Sequence, residues 1–166
     1  MKLIKILMAV SVILTASFAN AQSNTSVNKV LSEYILLKDA LVKTDGAVSA
    51  SSAKTLLATI KELSTSELSS DTRNQWTKVV NDLKEDAEQI SETKDIANQR
   101  NHFINLSKNI YSVVKISKLE TPIYYQFCPM ANKGKGANWL SLENKIKNPY
   151  YGNQMLTCGK VVETIQ

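Results

Sequence analysis

Residues 27–42, VNKVLSEYILLKDALV, contain the pattern that decides the fold of this chain. The apolar side chains recur at steps of three and four residues, which is the spacing of one face of an α-helix. They are Val27, Val30, Leu31, Tyr34, Leu37 and Leu41. Mainly polar residues lie between them, so the segment predicts an amphipathic helix, which Asp45-Gly46 ends.

The same period recurs in three later segments and predicts three more helices. The second follows candidate N-caps at residues 49–52, and its apolar residues are Ala53, Leu56, Leu57, Ile60 and Leu63. The third starts near Ser70 or Asp71 and has Trp76, Val79, Val80, Leu83, Ala87 and Ile90. The fourth ends near Lys118 and has Ile96, Phe103, Leu106, Ile110, Val113 and Val114. Short polar breaks separate the segments, which favours a mainly α protein with an antiparallel four-helix bundle over residues 27–118.

The composition changes after Leu119, where residues 119–166 form the tail of the chain. All three prolines and four of the five glycines lie in this tail, together with six aromatic residues. We expect an ordered, irregular cap on the bundle, because a segment this rich in aromatic side chains has apolar surface to bury. Residues 123–127 and 160–165 suit short strands, and residues 141–145 suit one helical turn.

The first 21 residues have the pattern of a secretory signal peptide. Lys2 and Lys5 precede an apolar run over residues 6–18, and Ala19-Asn20-Ala21 places small residues where a signal peptidase cuts. The run is shorter than the roughly 20 residues that span a bilayer. We therefore expect a periplasmic or secreted protein with no membrane span after cleavage, and one domain over residues 22–166.

Composition argues against two broad classes of function. The formal charge is +5, and loss of the two signal-peptide lysines lowers it to +3, which is too weak for a nucleic-acid partner. His102 is the only histidine, and no Ser-His-Asp or Cys-His pairing stands out, so we expect no enzyme. Gly134-Lys135-Gly136 lacks the spacing of a phosphate loop and predicts a flexible turn.

The tail holds both cysteines, each beside a methionine. Pro129 favours an extended Cys128, which would project Cys128 and Met130 to the same side. Met155 and Cys158 are three residues apart, which suits one helical turn with both on one face. Two thiolates and two thioethers suit Cu(I), Ag(I) or another soft ion. Alternatively, one disulfide would close a loop of about 30 residues and stabilise the fold by roughly 3–4 kcal/mol. The residues alone leave both interpretations open.

Other ligand sets have less support. Structural zinc sites take four Cys or His ligands, and this sequence has too few. A thioredoxin-type redox function also has little support, because no Cys-x-x-Cys is present. His102 lies on the fourth helix near the face of Gln99 and Leu106, where partial exposure would allow it to offer a nitrogen ligand. Three aromatic side chains of the tail either form its core or shield the metal from water: Trp139, Tyr150 and Tyr151.

A succession of short sequence motifs in the tail resembles that of a known family. The phrases are YYQFCPMA at 124–131, GANWLS at 136–141, IKNPYYG at 146–152 and MLTCG at 155–159. Arg100, Phe103 and Leu106-Ser107 on the fourth helix are similar as well. The chain resembles, over about residues 27–166, an uncharacterised periplasmic domain of unknown function. That domain occurs alone and also at the C-terminus of membrane-fusion adaptors of copper/silver-type heavy-metal efflux pumps.

The resemblance implies a helical domain in which the Cys-Pro-Met and Met-x-x-Cys-Gly phrases lie close in space, without an established activity. Because of the link to metal efflux, it favours the metal interpretation, with four candidate ligands: Cys128, Met130, Met155 and Cys158. We expect a Cu(I) or Ag(I) carrier or buffer that hands the ion to an efflux adaptor or another envelope protein, and we expect it to act without adaptor domains of its own. The alternative is a disulfide-stapled module that docks on an envelope protein through exposed aromatic side chains.

Overall fold

Four α-helices and a small antiparallel sheet make up the described part of the chain. The structure is a computed structural model that describes residues 19–119 and 121–166, with side chains from residue 26 onward. The helices are α1 (Ala19–Val42), α2 (Gly46–Glu62), α3 (Ser70–Ser91) and α4 (Ile96–Val114). The strands are β1 (Ile123–Cys128), β2 (Ala137–Ser141) and β3 (Lys160–Ile165), with 3₁₀ turns at Thr65–Glu67 and Gly152–Gln154. The predicted mainly α class with strands near the C-terminus is confirmed.

Short polar side chains fix where three of the helices begin. Asp45, Ser69 and Asp95 each accept a hydrogen bond from a backbone N–H in the turn that follows, at 2.9–3.3 Å. Each such cap stabilises a helix by about 1 kcal/mol. The predicted caps at residues 49–52 were wrong, because Asp45 already caps α2. The predicted start of α3 at Ser70 is confirmed, whereas α4 ends at Val114, four residues before the predicted end.

The apolar stripes read from the sequence form the core. Each helix packs against the next, and α1 also contacts α4. Side chains from every stripe are fully buried, including Tyr34, Leu56, Leu83 and Phe103. No described helix has the length and hydropathy that a bilayer crossing requires. Residues 1–18 of the predicted signal peptide lie outside the described residues.

The tail folds into a three-stranded antiparallel sheet in the order β2-β1-β3. Strands β1 and β3 lie where the sequence predicted them, but β2 lies in a segment that was assigned to the irregular part of the cap. The predicted helical turn at residues 141–145 was wrong as well. Buried Gln126 donates to the carbonyls of Glu143 and Asn144 at 2.8 and 3.3 Å, which holds this segment as a bend beside the sheet.

Two polar side chains of the helices tie the tail to them. The buried hydroxyl of Tyr34 pairs with Ser107 Oγ at 2.8 Å and accepts from the backbone N–H of Leu140 at 3.1 Å. Burial raises the pKa of Tyr34 well above its ordinary value, so the hydroxyl stays protonated. Arg100 donates to the carbonyls of Pro149 at 2.8 Å and Leu41 at 3.2 Å. These bonds fix the position of the tail against α1 and α4.

Candidate thiol and metal site

The two cysteines meet at one end of the sheet. The Sγ atoms of Cys128 and Cys158 lie 2.7 Å apart although 30 residues separate them in the chain. Antiparallel pairing explains this contact, because Phe127 of β1 lies opposite Lys160 of β3. The end of β1 therefore meets the start of β3, where the cysteines stand. The Cys-Pro-Met and Met-x-x-Cys-Gly motifs were expected to lie close in space, and their two thiols do.

A tight turn delivers Cys158 to this position. The backbone N–H of Cys158 donates to the carbonyl of Met155 at 3.0 Å and closes a turn. The expected helical turn is not formed, because Met155 has φ of −146° and ψ of 55°. Gly159 then has φ of +143°, in the region that favours glycine. A Cβ there would stand 2.9 Å from the Phe127 carbonyl oxygen and from the Trp139 ring. The absent side chain thus permits the close approach that brings the two sulfurs together.

Asn148 holds the loop that carries Cys158, and sequence reasoning had assigned it no role. Its side chain is fully buried. Its Nδ2 donates to the carbonyl of Cys158 at 2.8 Å, and its Oδ1 accepts from the N–H of Tyr150 at 2.8 Å. Its own N–H donates to the carbonyl of Leu156 at 2.8 Å. Asn148-Pro149 is a turn signal, which was the only local hint of this function.

The two thiols differ in exposure. Cys128 is fully buried, whereas Cys158 is partly exposed. The hydrogen bond with Cys128, and next the burial around it, raise the pKa of the Cys158 thiol, while the backbone N–H of Met130 acts in the opposite direction. The Cys158 thiol is therefore protonated at neutral pH, and an incoming metal ion must displace its proton.

The two methionines flank the thiols in different ways. The chain turns directly after Cys128, where the N–H of Ala131 donates to the Cys128 carbonyl at 3.4 Å. Cys128 is extended as the last residue of β1, as Pro129 predicted. The expected projection of Cys128 and Met130 to the same side was wrong, because Cys128 is buried while the Met130 side chain, in the turn, is 55% exposed. Met155 is partly exposed and lies three residues before Cys158. The structure thus brings the thiols together and leaves the thioethers in the two adjoining turns.

His102 stands apart from the sulfur pair. Its Nδ1 lies 3.2 Å from Asp86 Oδ1 on α3, in a groove lined by residues of α3 and α4 alone. Partial burial raises the pKa of the Asp86 carboxyl, while His102 acts in the opposite direction. Within the described ranges, no three side chains of the types His, Cys, Asp and Glu form a metal-binding group. The proposed nitrogen ligand from His102 therefore gains no support.

The aromatic side chains of the tail form its core. Trp139 is fully buried and Tyr150 nearly so, and their rings pack edge to face with centroids 6.0 Å apart. Tyr151 is partly buried, and its hydroxyl donates to the carbonyl of Met130 at 2.7 Å. In the described part of the chain, the large hydrophobic residues that are exposed are aliphatic or methionine. Four aromatic side chains of the tail are partly exposed, namely Tyr124, Tyr125, Phe127 and Tyr151.

The spacing of the sulfurs allows a test of which chemistry fits. A disulfide places two sulfurs about 2.05 Å apart. Two sulfurs that bind the same ion at about 2.3 Å lie about 3.8 Å apart in a tetrahedral site and about 4.6 Å apart in a linear one. The observed 2.7 Å lies between these values and is closer to that of a disulfide. Thiolates suit a soft ion chemically, but the two sulfurs would have to move apart by about 1 Å to bind the same ion.

Comparison with known proteins identifies a family for the helical part. A family model described as "Protein of unknown function (DUF3347)" matches residues 30–121, more than half of the chain. The match runs from α1 to the link after α4, so it includes the Arg100 phrase but ends before both cysteines. Comparison with curated proteins and with solved structures found no significant match. The chain therefore belongs to the DUF3347 family, whose members are described as proteins of unknown function.

Proposed function

We propose that this domain binds one soft metal ion, such as Cu(I) or Ag(I), between Cys128 and Cys158, without catalysing a reaction. The observation that supports this proposal is the meeting of the chain's two cysteines at one partly open position. Thiolates are preferred ligands of soft ions. Met130 and Met155 stand in the adjoining turns, from which their thioethers would complete the ligand set.

The arrangement suits a carrier or buffer in the periplasm. Soft ions pass between proteins by exchange of ligands, so a donor needs ligands that an acceptor can reach. Met130 is exposed and Cys158 partly so, whereas Cys128 is buried. We propose that the buried thiolate retains the ion until an acceptor has engaged the outer ligands. The acceptor would be a heavy-metal efflux adaptor or another envelope protein, after removal of residues 1–21 as a signal peptide.

The helices would provide the rigid support for this site. We propose that α1 to α4 form an antiparallel four-helix bundle. Links of three to seven residues join consecutive helices, each helix packs on the next, and α1 contacts α4. Tyr34 and Arg100 then hold the tail on the bundle through the backbone at Leu140 and Pro149. Sites on such supported segments keep their ligands in place.

A competition titration tests metal binding. The reduced chain is titrated with Cu(I) against a chromophoric chelator, and we expect one ion per chain with loss of binding in the double variant C128S/C158S. Met130→Leu and Met155→Leu should each weaken binding by about tenfold, the loss of one neutral ligand. His102→Ala is the matched control and should leave the affinity unchanged. An unchanged affinity in the double variant would refute the site.

A second candidate function follows from the short distance between the sulfurs. At 2.7 Å the thiols are close enough to form a disulfide, which would make the domain a stapled interaction module of the envelope. Intact mass with and without thiol alkylation separates the two candidates. A complete disulfide in freshly isolated protein supports the module if the chain still binds no Cu(I) after reduction. Alkylatable thiols, or a metal that purifies with the chain, support the carrier.

A further inference from the structure

We propose that the sulfur pair is also a thiol–disulfide exchange site for low-molecular-weight disulfides, in which Cys158 attacks and Cys128 resolves. The proposal uses the thiols of the proposed metal site but needs no metal ion. The thiols are brought together by the pairing of β1 with β3, and not by the short sequence spacing of a Cys-x-x-Cys motif.

The difference in burial sets the order of attack. Cys128 is fully buried at the end of β1, so a disulfide in solution cannot reach its sulfur. Cys158 is partly exposed in the turn before β3. Exchange requires a thiolate to approach a disulfide sulfur directly, so access decides which cysteine reacts. Cys158 is therefore the attacking thiol.

The distance between the sulfurs makes the second step intramolecular. After the first step, Cys128 Sγ stands beside the newly modified Cys158 Sγ, since the two atoms lie 2.7 Å apart. A reactant held next to its target gains greatly in effective concentration over one in solution. Asn148 and Gly159 hold the Cys158 loop at this position through the contacts described above. Cys128 is thus placed to resolve a mixed disulfide before it can accumulate.

The chemistry balances over two exchanges. The Cys158 thiolate attacks one sulfur of RSSR, the S–S bond of that molecule breaks, and RS⁻ leaves and takes up the proton that Cys158 lost. The Cys128 thiolate then attacks Cys158 Sγ, the mixed disulfide breaks, and a second RS⁻ leaves and takes up the proton of Cys128. The chain loses two electrons to form its disulfide, and RSSR gains two electrons to form two RSH molecules.

A consequence links this activity to the proposed function. The disulfide form offers no thiolate to a soft ion, so oxidation of the pair would release bound metal and reduction would restore binding. This consequence rests on the proposed metal site, whereas the exchange activity does not. The two can therefore fail separately.

Oxidised glutathione tests the order of attack on the reduced, metal-free chain. Mass spectrometry after acid quench should show that Cys128→Ser accumulates one glutathione on Cys158. The unsubstituted chain should instead lose two alkylatable thiols and retain no glutathione. Cys158→Ser should react at least about tenfold more slowly, because its remaining thiol is buried. Cys128→Ala provides a second variant at the buried position, and circular dichroism checks the helices of each.

Denaturation supplies the control for intrinsic reactivity. In guanidinium chloride the two single-cysteine variants should react at similar rates, because the burial that separates them is lost. Equal rates in the folded variants, or faster reaction of Cys158→Ser, would overturn the order of attack. An unsubstituted chain that keeps both thiols alkylatable, or that accumulates a mixed disulfide, would overturn the exchange site itself. Neither result depends on whether Cu(I) binds.

Discussion

The helices and the tail are held together by different kinds of contact. In the helices, apolar side chains at steps of three and four residues bury themselves against the neighbouring helix, and short side chains cap the ends. In the tail, single buried polar side chains hold backbone groups that are distant in sequence, as Asn148 does for the Cys158 loop. A local sequence pattern therefore forms the helical support, whereas hydrogen bonds between residues distant in sequence position the thiols.

The largest expected effect comes from the core of each part. Trp139 is fully buried in the tail, and Leu83 is fully buried among the helices. Trp139→Ala should lower the free energy of unfolding by about 3–5 kcal/mol and Leu83→Ala by about 2–5 kcal/mol. Chemical denaturation followed by far-ultraviolet circular dichroism measures both. If the helices and the tail are stabilised separately, the Trp139→Ala variant should lose Cu(I) binding while its circular dichroism still shows the helices.

Removal of the Asn148 side chain should weaken the hydrogen bonds that hold the Cys158 loop. Asn148→Ala leaves buried backbone groups at Cys158 and Tyr150 without their partner, which we expect to cost about 2–3 kcal/mol of unfolding free energy. The exposed residue Asn144 is the matched control, and Asn144→Ala should change the stability by less than about 0.5 kcal/mol. Equal effects of the two substitutions would contradict the role given to Asn148.

Much of the helical part follows from sequence, and the reasons are local. Stripes such as Val30, Tyr34 and Leu37 are buried as their spacing predicts. The start of α2 was mistaken by a few residues because Asp45 and the serines after it are all good caps, and only structure shows which one accepts. Strand β2 was not predicted, because Trp139 and Leu140 are adjacent and both buried. The segment therefore lacks the alternation of apolar and polar residues that indicates a half-exposed strand.

The two thiols of the candidate site could be predicted from the sequence, but their geometry could not. Cysteine chemistry singled out Cys128 and Cys158 from sequence, but their contact depends on the register in which β1 pairs with β3. The turn after Cys128, which exposes Met130, depends on contacts beyond the Cys-Pro-Met phrase itself. Asn148 could not be assigned because its partners are backbone groups, whose positions no residue pattern specifies.

The link between α1 and the sheet should show a smaller effect. Tyr34→Phe removes the acceptor for the N–H of Leu140 and the partner of Ser107, all in the buried core. We expect a loss of about 1–2 kcal/mol of unfolding free energy. Tyr151→Phe removes a hydroxyl whose hydrogen bond lies at the surface, and should cost clearly less. A reversed order in denaturation measurements would show that the tail is not held through Tyr34.

The smallest effect is expected at the edge of the sheet and depends on pH. The hydroxyl of Tyr111 donates to the Glu163 carboxylate at 2.5 Å and, with Lys115, lowers the pKa of that carboxyl. A lowered folded-state pKa means that the stabilisation is present above the ordinary pKa and is lost as the pH falls through the folded-state pKa. Glu163→Gln should therefore be slightly less stable than the unsubstituted chain at pH 7, and the difference should vanish in acid. A difference that persists unchanged at low pH would contradict this ion pair.

X-ray absorption at the copper edge would identify the atoms bound to the ion, and so show whether the paired thiols are its ligands. For the reduced chain loaded with one Cu(I), we predict a shell of two to four sulfur atoms at about 2.3 Å. The double variant C128S/C158S should lose this shell, while His102→Ala should leave the spectrum unchanged. A shell composed of nitrogen and oxygen, or the same sulfur shell in the double variant, would contradict a soft-metal site built on the paired thiols.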